Sequence, residues 1–264
     1  MKYYVSVDME GIAGVVLREQ LLRGEPLYEE ARRLLTLEAN AVTEALLEAG
    51  ASRVVVKDAH GSGFNFIPEL LHPGAEYVMG ATRVERRFPG LDSTFDGVLL
   101  IGYHAMGGTM EAVRDHTMTS QGWQALRLNG RPIGEIGLDA LWFGMYGVPV
   151  VFVSGDDKTC KEAQAELPGV ATYATKTATG RHSALLKAPQ LVRAELKEAV
   201  AAAVRQPVKP APLRLPGPYE LTIRFLHTEQ ADARRFDGER AVRTDGVTGV
   251  YRGDDLIELL AMAF

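Results

Sequence analysis

The chain has 264 residues, of which 46% are hydrophobic and 24% charged, with a formal net charge of −5. That balance suits a globular protein and excludes a disordered chain, and the net acidity argues against a nucleic-acid partner, which would need a basic stripe. No apolar run approaches the roughly 20 residues that cross a bilayer, the N-terminus has no signal-peptide pattern, and the single cysteine, Cys160, cannot form an internal disulfide; the expectation is a cytoplasmic protein with no membrane partner.

Short apolar runs alternate with helical patterns. Tyr3 to Val7 reads as a first strand. Tyr28 to Ala49 reads as a helix, with Leu34, Leu35, Ala39, Val42, Ala45 and Leu46 near the 3.6 period and Gly50 as its stop. Arg53 to Lys57 is a second strand, its Val54-Val55-Val56 run typical of a strand covered on both faces. A turn or short helix follows around Pro68 to Leu71, then a buried strand from Gly97 to Tyr103. Arg114 to Ser120 and Trp123 to Leu128 read as strands, and Asn129-Gly130 signals a hairpin before Arg131-Pro132-Ile133. Gly134 to Tyr146 is helical, Val148 to Val153 a strand, Lys158 to Leu167 a helix, and Gln190 to Gln206 an alanine-rich helix. Pro207 to Pro218 carries five prolines and reads as an extended connector. A strand from Tyr219 to Phe225, a charged helix, a short strand near Val242 and a final helix from Asp254 complete the chain. The alternation predicts an α/β fold, a mostly parallel sheet flanked by helices, with a smaller C-terminal α+β portion. The expected division is a catalytic domain over 1–190 and the smaller portion over 191–264.

Three predicted strands end in candidate metal ligands. The first runs into Asp8-Met9-Glu10-Gly11, the second into Asp58-Ala59-His60-Gly61, and the third into Tyr103-His104. Ligands of open α/β sheets bind beyond the carboxyl ends of the strands. Carboxylate and imidazole suit zinc, manganese and iron alike. Glu135, at the start of a helix, is a further candidate carboxylate. Each residue alone has an ordinary reading: a loop acid or cap for Asp8 and Glu10, a hydrogen-bonded turn residue for His60, a partner of the helix dipole for Glu135. Three ligand-bearing strand ends together point to a metal-dependent hydrolase. His116 reads equally as a polar strand residue beside Asp115 and as an uncoordinated base, acid or nucleophile. Asp58 and Asp156 are candidates to orient the imidazoles, with an N-cap the competing role for Asp156. Glu111 is a candidate anchor for a substrate amine, as are Glu10 and Glu135. Lys176 and Arg181 could hold a substrate carboxylate or serve a subunit contact.

Several stretches resemble the zinc D-aminopeptidases of the dipeptide-transport operon type. They are Val5-Ser6-Val7-Asp8-Met9-Glu10-Gly11-Ile12, Val56-Lys57-Asp58-Ala59-His60, Gly102-Tyr103-His104-Ala105, Asp115-His116-Thr117-Met118, Asn129 to Leu138 and Pro149 to Asp157. The matches run in order over roughly the first 185 residues. The resemblance implies two zinc ions per subunit, with Asp8 bridging them, Glu10 and His60 completing one site, and His104 and Glu135 the other. It assigns catalysis to His116, as a nucleophile. It implies cleavage of the N-terminal residue from short peptides containing D-amino acids, such as D-Ala-D-Ala, and assembly into a homo-oligomeric ring. Two departures stand out. The loop between His104 and His116 is about one residue longer than the family pattern, and Arg114-Asp115 is more charged. The competing functions are another binuclear hydrolase, either an amidohydrolase or a phosphoesterase, and a non-catalytic metal-binding ring protein. Phosphoesterases usually call for more histidines than the six present.

Overall fold

The computed structural model describes residues 1–264. The first strand, β1 (Lys2–Val7), is an interior strand of a seven-stranded sheet, third from one edge. A long helix, α1 (Tyr28–Glu48), leads to β2 (Arg53–Asp58) and the short β3 (Glu76–Val78), both on one side of β1. The chain then crosses to the other side as β4 (Gly97–Ile101). A hairpin, β5 (Trp123–Leu128) and β6 (Arg131–Pro132), leaves this sheet before α2 (Glu135–Met145) returns to it. The sheet is completed by β7 (Val150–Asp156), α3 (Asp157–Glu166), β8 (Ala171–Gly180), β9 (Ser183–Leu186) and α4 (Pro189–Val204). Its order is β3-β2-β1-β4-β7-β8-β9, parallel except for β9. The remainder is β10 (Tyr219–Phe225), α5 (Thr228–Asp232), β11 (Ala241–Asp245), β12 (Thr248–Gly253) and α6 (Leu256–Ala263). These strands form a second, antiparallel sheet in the order β11-β12-β10-β5-β6.

The two-residue alternation of β1 explains the layers. Tyr3, Val5 and Val7 face α1 and α4 with Val54, Val56, Leu99 and Ile101. Tyr4 faces the opposite way, into a core that also holds Val98 and Leu100, Phe143 of α2, and Leu126, Leu221 and Ile223 of the second sheet. That second core is continuous from one sheet to the other. The second sheet also draws on both sides of residue 190, since β5 pairs with β10, while α4 packs with α1 on the main sheet.

Two local readings change. Arg114 to Ser120 is a loop, not a strand; Arg114 and Met118 adopt φ of 52° and 63°, which no strand accommodates. The hairpin of β8 and β9 has no counterpart among the expected strands, because Thr175 and Lys176 interrupt its apolar pattern with buried polar groups. No helix is long and apolar enough to cross a membrane.

The chain leaves β1 for β2 on one side and returns at β4 on the other, so β1 and β4 border the point where strand order reverses. There the two loops meet backbone to backbone. The Asp8 N–H donates to Ile101 O at 2.8 Å and the Gly11 N–H to Gly102 O at 2.7 Å. A Cβ on Gly11 would stand 2.0 Å from Tyr103 O, and Gly102 has a φ of 68° with no room for a Cβ beside Asp8 O. Gly11 serves close approach rather than a turn.

Candidate metal centre

Five acidic or imidazole side chains meet at this crevice. Asp8 and Glu10 follow β1, His60 follows β2, His104 follows β4, and Glu135 opens α2. Asp8 and Glu10 lie in the turn beyond the strand, so their nearness comes from that turn and not from a shared strand face. His60 Nδ1 stands 3.2 Å from Asp8 Oδ1 and 3.1 Å from Glu10 Oε2. His104 Nε2 stands 3.4 Å from Asp8 Oδ2 and 3.3 Å from Glu135 Oε1. Ligands of one tetrahedral zinc, each about 2.0–2.2 Å from the ion, are separated by roughly 3.4 Å. Three groups of three could each hold an ion: Asp8 with Glu10 and His60, Asp8 with His104 and Glu135, and Glu10 with His104 and His116. Only the first two have imidazole–carboxylate distances near that value, His116 standing 3.9 Å from Glu10.

Hydrogen bonds on the far side of each ring fix its tautomer. His60 Nε2–H donates to Leu21 O at 3.1 Å and His104 Nδ1–H to Ala105 O at 3.0 Å. In a neutral ring the other nitrogen then carries a lone pair, and that lone pair faces two carboxylates. The buried His104 Nε2 has no hydrogen-bond partner at all. Lone pairs opposed to carboxylates repel unless positive charge lies between them, as a proton or a metal ion. The cluster is therefore built for cations.

The titration behaviour reflects the same demand. Burial, reinforced by the charge of Glu10, pushes Asp8 up to about 7. Burial would also raise Glu10 and Glu135, but the imidazoles overcome it. His60 first, then His116 and His104, hold Glu10 well below the usual carboxylate range. His104 draws Glu135 down to about 2. The carboxylates in turn raise His60 and His104 against burial. Divalent ions would take the place of those imidazole protons.

His116 enters from the loop after β4, its ring stacked on His104 with centroids 3.9 Å apart. Its Nδ1–H donates to Arg114 O at 2.9 Å, which again leaves a lone pair on Nε2. Nε2 stands 3.9 Å from Glu10 Oε1 and 3.8 Å from Glu135 Oε1, farther than either other ring stands from its carboxylates. Burial and the positive charge of His104 lower its pKa, so near neutral pH it is an unprotonated base.

Asp58 and Asp156 do not contact the imidazoles. Asp58 accepts from the backbone and side chain of Asn65 and from the His60 N–H, fixing the turn that carries His60. Asp156 caps α3 through Lys158 N, Thr159 N and the Thr159 hydroxyl. Lys176 is buried and donates to the carbonyls of Glu10, Ile12 and Val15, so it holds the ligand-bearing turn and does not face a substrate. Arg181 pairs with Asp115. Glu111 is exposed and lies outside the cavity. Neither the three carbonyls that orient the rings nor the burial of the Arg114 side chain is visible in the sequence.

A cavity of about 400 Å³ opens over the cluster. Asp8, Glu10, His60, His116 and Glu135 line it, with Arg18, Arg87 and Arg114 and the segment Met118 to Gln121. That size suits a small ligand.

The family model described as D-aminopeptidase matches residues 1–263. A D-aminopeptidase of Bacillus subtilis (strain 168) is 35% identical over 258 residues, which cover 98% of this chain and 93% of that protein. A solved structure described as the Zn-dependent D-aminopeptidase DppA from Bacillus subtilis, a self-compartmentalizing protease, superposes with a TM-score of 0.93 at 35% identity. The match covers 100% of this chain and 96% of that one.

Proposed function

The chain belongs to the D-aminopeptidase family, and from that premise we propose that its five-residue cluster holds two divalent ions and removes N-terminal D-residues from short peptides. The activity is that of a zinc-dependent D-aminopeptidase. Glu10 and His60 would hold one ion and His104 and Glu135 the other, with Asp8 available to both. The observation that carries this reading is the orientation of the imidazoles: ring nitrogens locked with their lone pairs toward paired carboxylates. The shared role of Asp8 is supported by its two oxygens, Oδ1 facing His60 and Oδ2 facing His104.

Bound ions supply Lewis acidity to the scissile carbonyl and acidify a water at neutral pH. The protein supplies the rest. His116 Nε2 takes a proton from the attacking water and returns it to the departing amine, a role suited to an unprotonated imidazole held off the ligand shell. The carbonyls of Leu21, Ala105 and Arg114 keep all three rings in the working tautomer. Lys176 fixes the turn that presents Glu10. The Asp58–Asn65 contacts do the same for His60.

Assembly into a closed ring of copies belongs to the same proposal. It is supported by the self-compartmentalizing character of the similar structure and by Leu185 and Leu186, exposed on the outermost strand β9. So does work in a reducing cytoplasm, supported by the one buried, unpaired Cys160. The test is metal analysis of the purified protein followed by turnover of D-Ala-D-Ala, L-Ala-L-Ala and p-nitrophenyl phosphate. Two zinc ions per chain and hydrolysis of the D-dipeptide alone are expected. A metal-free protein, or release of phosphate in preference to D-alanine, would overturn the proposal.

A further inference from the structure

Arg114 is 6% exposed and lines the cavity over the acidic cluster. Its guanidinium makes no ion pair and no hydrogen bond, and its buried Nε has no acceptor of any kind. The neighbouring charges do not explain it. Asp115 is engaged by Arg181. Glu10 faces the imidazoles. Arg87, the other inward arginine, is bound to Asp139 at 2.7 Å. Arg18, an exposed residue that lines the same cavity, is also without an acid partner. Two unneutralised guanidiniums thus share one small cavity. A desolvated cation of this kind is costly unless an anion completes it. The backbone around Arg114 is committed as well: φ is 52°, its N–H donates to Arg181 O, and its carbonyl accepts from His116. The strand of chain that orients the base therefore also places the guanidinium.

We propose that Arg114, assisted by Arg18, binds the free C-terminal carboxylate of the peptide substrate, so that the enzyme measures peptide length from the scissile bond to the carboxyl end. This rests on the aminopeptidase reading of the same site. The chemistry fits the two kinds of side chain that line the cavity. Metal and acid residues receive the amine-bearing end, while a planar fork of N–H donors receives a carboxylate. A charged hydrogen-bonding anchor of this type is worth roughly 10- to 100-fold in affinity or in kcat/KM.

The experiment compares D-Ala-D-Ala, its C-terminal amide and D-Ala-D-Glu amide as substrates of the zinc-loaded wild-type protein, Arg114→Met and Arg114→Lys. In parallel, calorimetric binding is measured for reduced-bond D-Ala-D-Ala, acid and amide forms, which cannot be cleaved. The expected result is a wild-type preference for acid over amide of at least about tenfold, abolished in Arg114→Met and partly kept in Arg114→Lys. The acid-to-amide ratio within each protein reads the anchor, and the zinc content and circular-dichroism spectrum of each preparation show whether the fold and the metal centre are intact. Equal handling of acid and amide by the wild type would overturn the assignment. So would an equal loss on both substrates in Arg114→Met, or a preference for D-Ala-D-Glu amide over D-Ala-D-Ala. If nothing is hydrolysed but the uncleavable acid still binds more tightly through Arg114, the carboxylate site stands and the aminopeptidase reading falls.

Discussion

Replacing His116 with alanine separates catalysis from metal binding. The side chain lies 3.8 and 3.9 Å from the nearest carboxylate oxygens, against 3.1 to 3.4 Å for the rings of His60 and His104. Truncation removes no member of the two tightly spaced groups, and the Arg114 carbonyl it frees belongs to a residue that lines the open cavity. Metal content should therefore hold. What is lost is the lone pair on Nε2 that carries the proton, a contribution of about 10²- to 10⁴-fold, or roughly 3–5 kcal/mol on the barrier. The assay is kcat at saturating D-Ala-D-Ala, with the zinc-to-protein ratio from the same preparation. We expect an unchanged ratio and a kcat lowered by that factor, with KM altered only slightly. Turnover within a few-fold of wild type would refute the proton-carrying role, and a halved zinc content would make His116 a ligand. An acyl-imidazole trapped on His116 by rapid quench would instead make it the nucleophile.

Glu38 is buried on α1, its Oε1 has no partner, and burial pushes its carboxyl up to about 7. A raised native pKa means that its contribution to stability is complete below about 4.5 and is lost as pH climbs toward 7. Glu38→Gln should match wild type at pH 4.5 and exceed it by up to roughly 3 kcal/mol at pH 8 in urea titrations; equal stability at pH 8 would contradict the buried-charge argument. Lys176→Met strips three carbonyls of their donor and should cost roughly 3 kcal/mol or more, with a loss below 1 kcal/mol counting against the clamp. Chelation should lower Tm and zinc restore it, because the ions neutralise facing carboxylates; a Tm insensitive to both would mean that the cluster is stable without cations.

The three strand ends could be read from the sequence because buried parallel strands are largely apolar runs, and each run here is followed within three residues by an acid or a histidine. Val5 to Val7, Val54 to Val56 and Val98 to Ile101 are examples. Glu135 could be placed at a helix start from the hairpin and glycine before it. The course of the chain from His104 to His116 could not, because left-handed residues at Glu111, Arg114 and Met118 carry no glycine signature. Strand β8 was hidden for a related reason. Lys176 is buried there only because three carbonyls of a distant turn await its ammonium, and nothing local records that. Arg114 looked like an excess of charge beside His116; only its burial without a partner gives it meaning.

The far-side partners of all three imidazoles are main-chain oxygens. Peptide carbonyls survive every amino-acid replacement, so the protonation pattern of the rings is insulated from drift at positions 21, 105 and 114. Side chains around the cleft can then be exchanged to change which peptides are accepted while the reactive machinery is left undisturbed. An insertion or deletion that shifted the loop backbones would move these acceptors and change the tautomers.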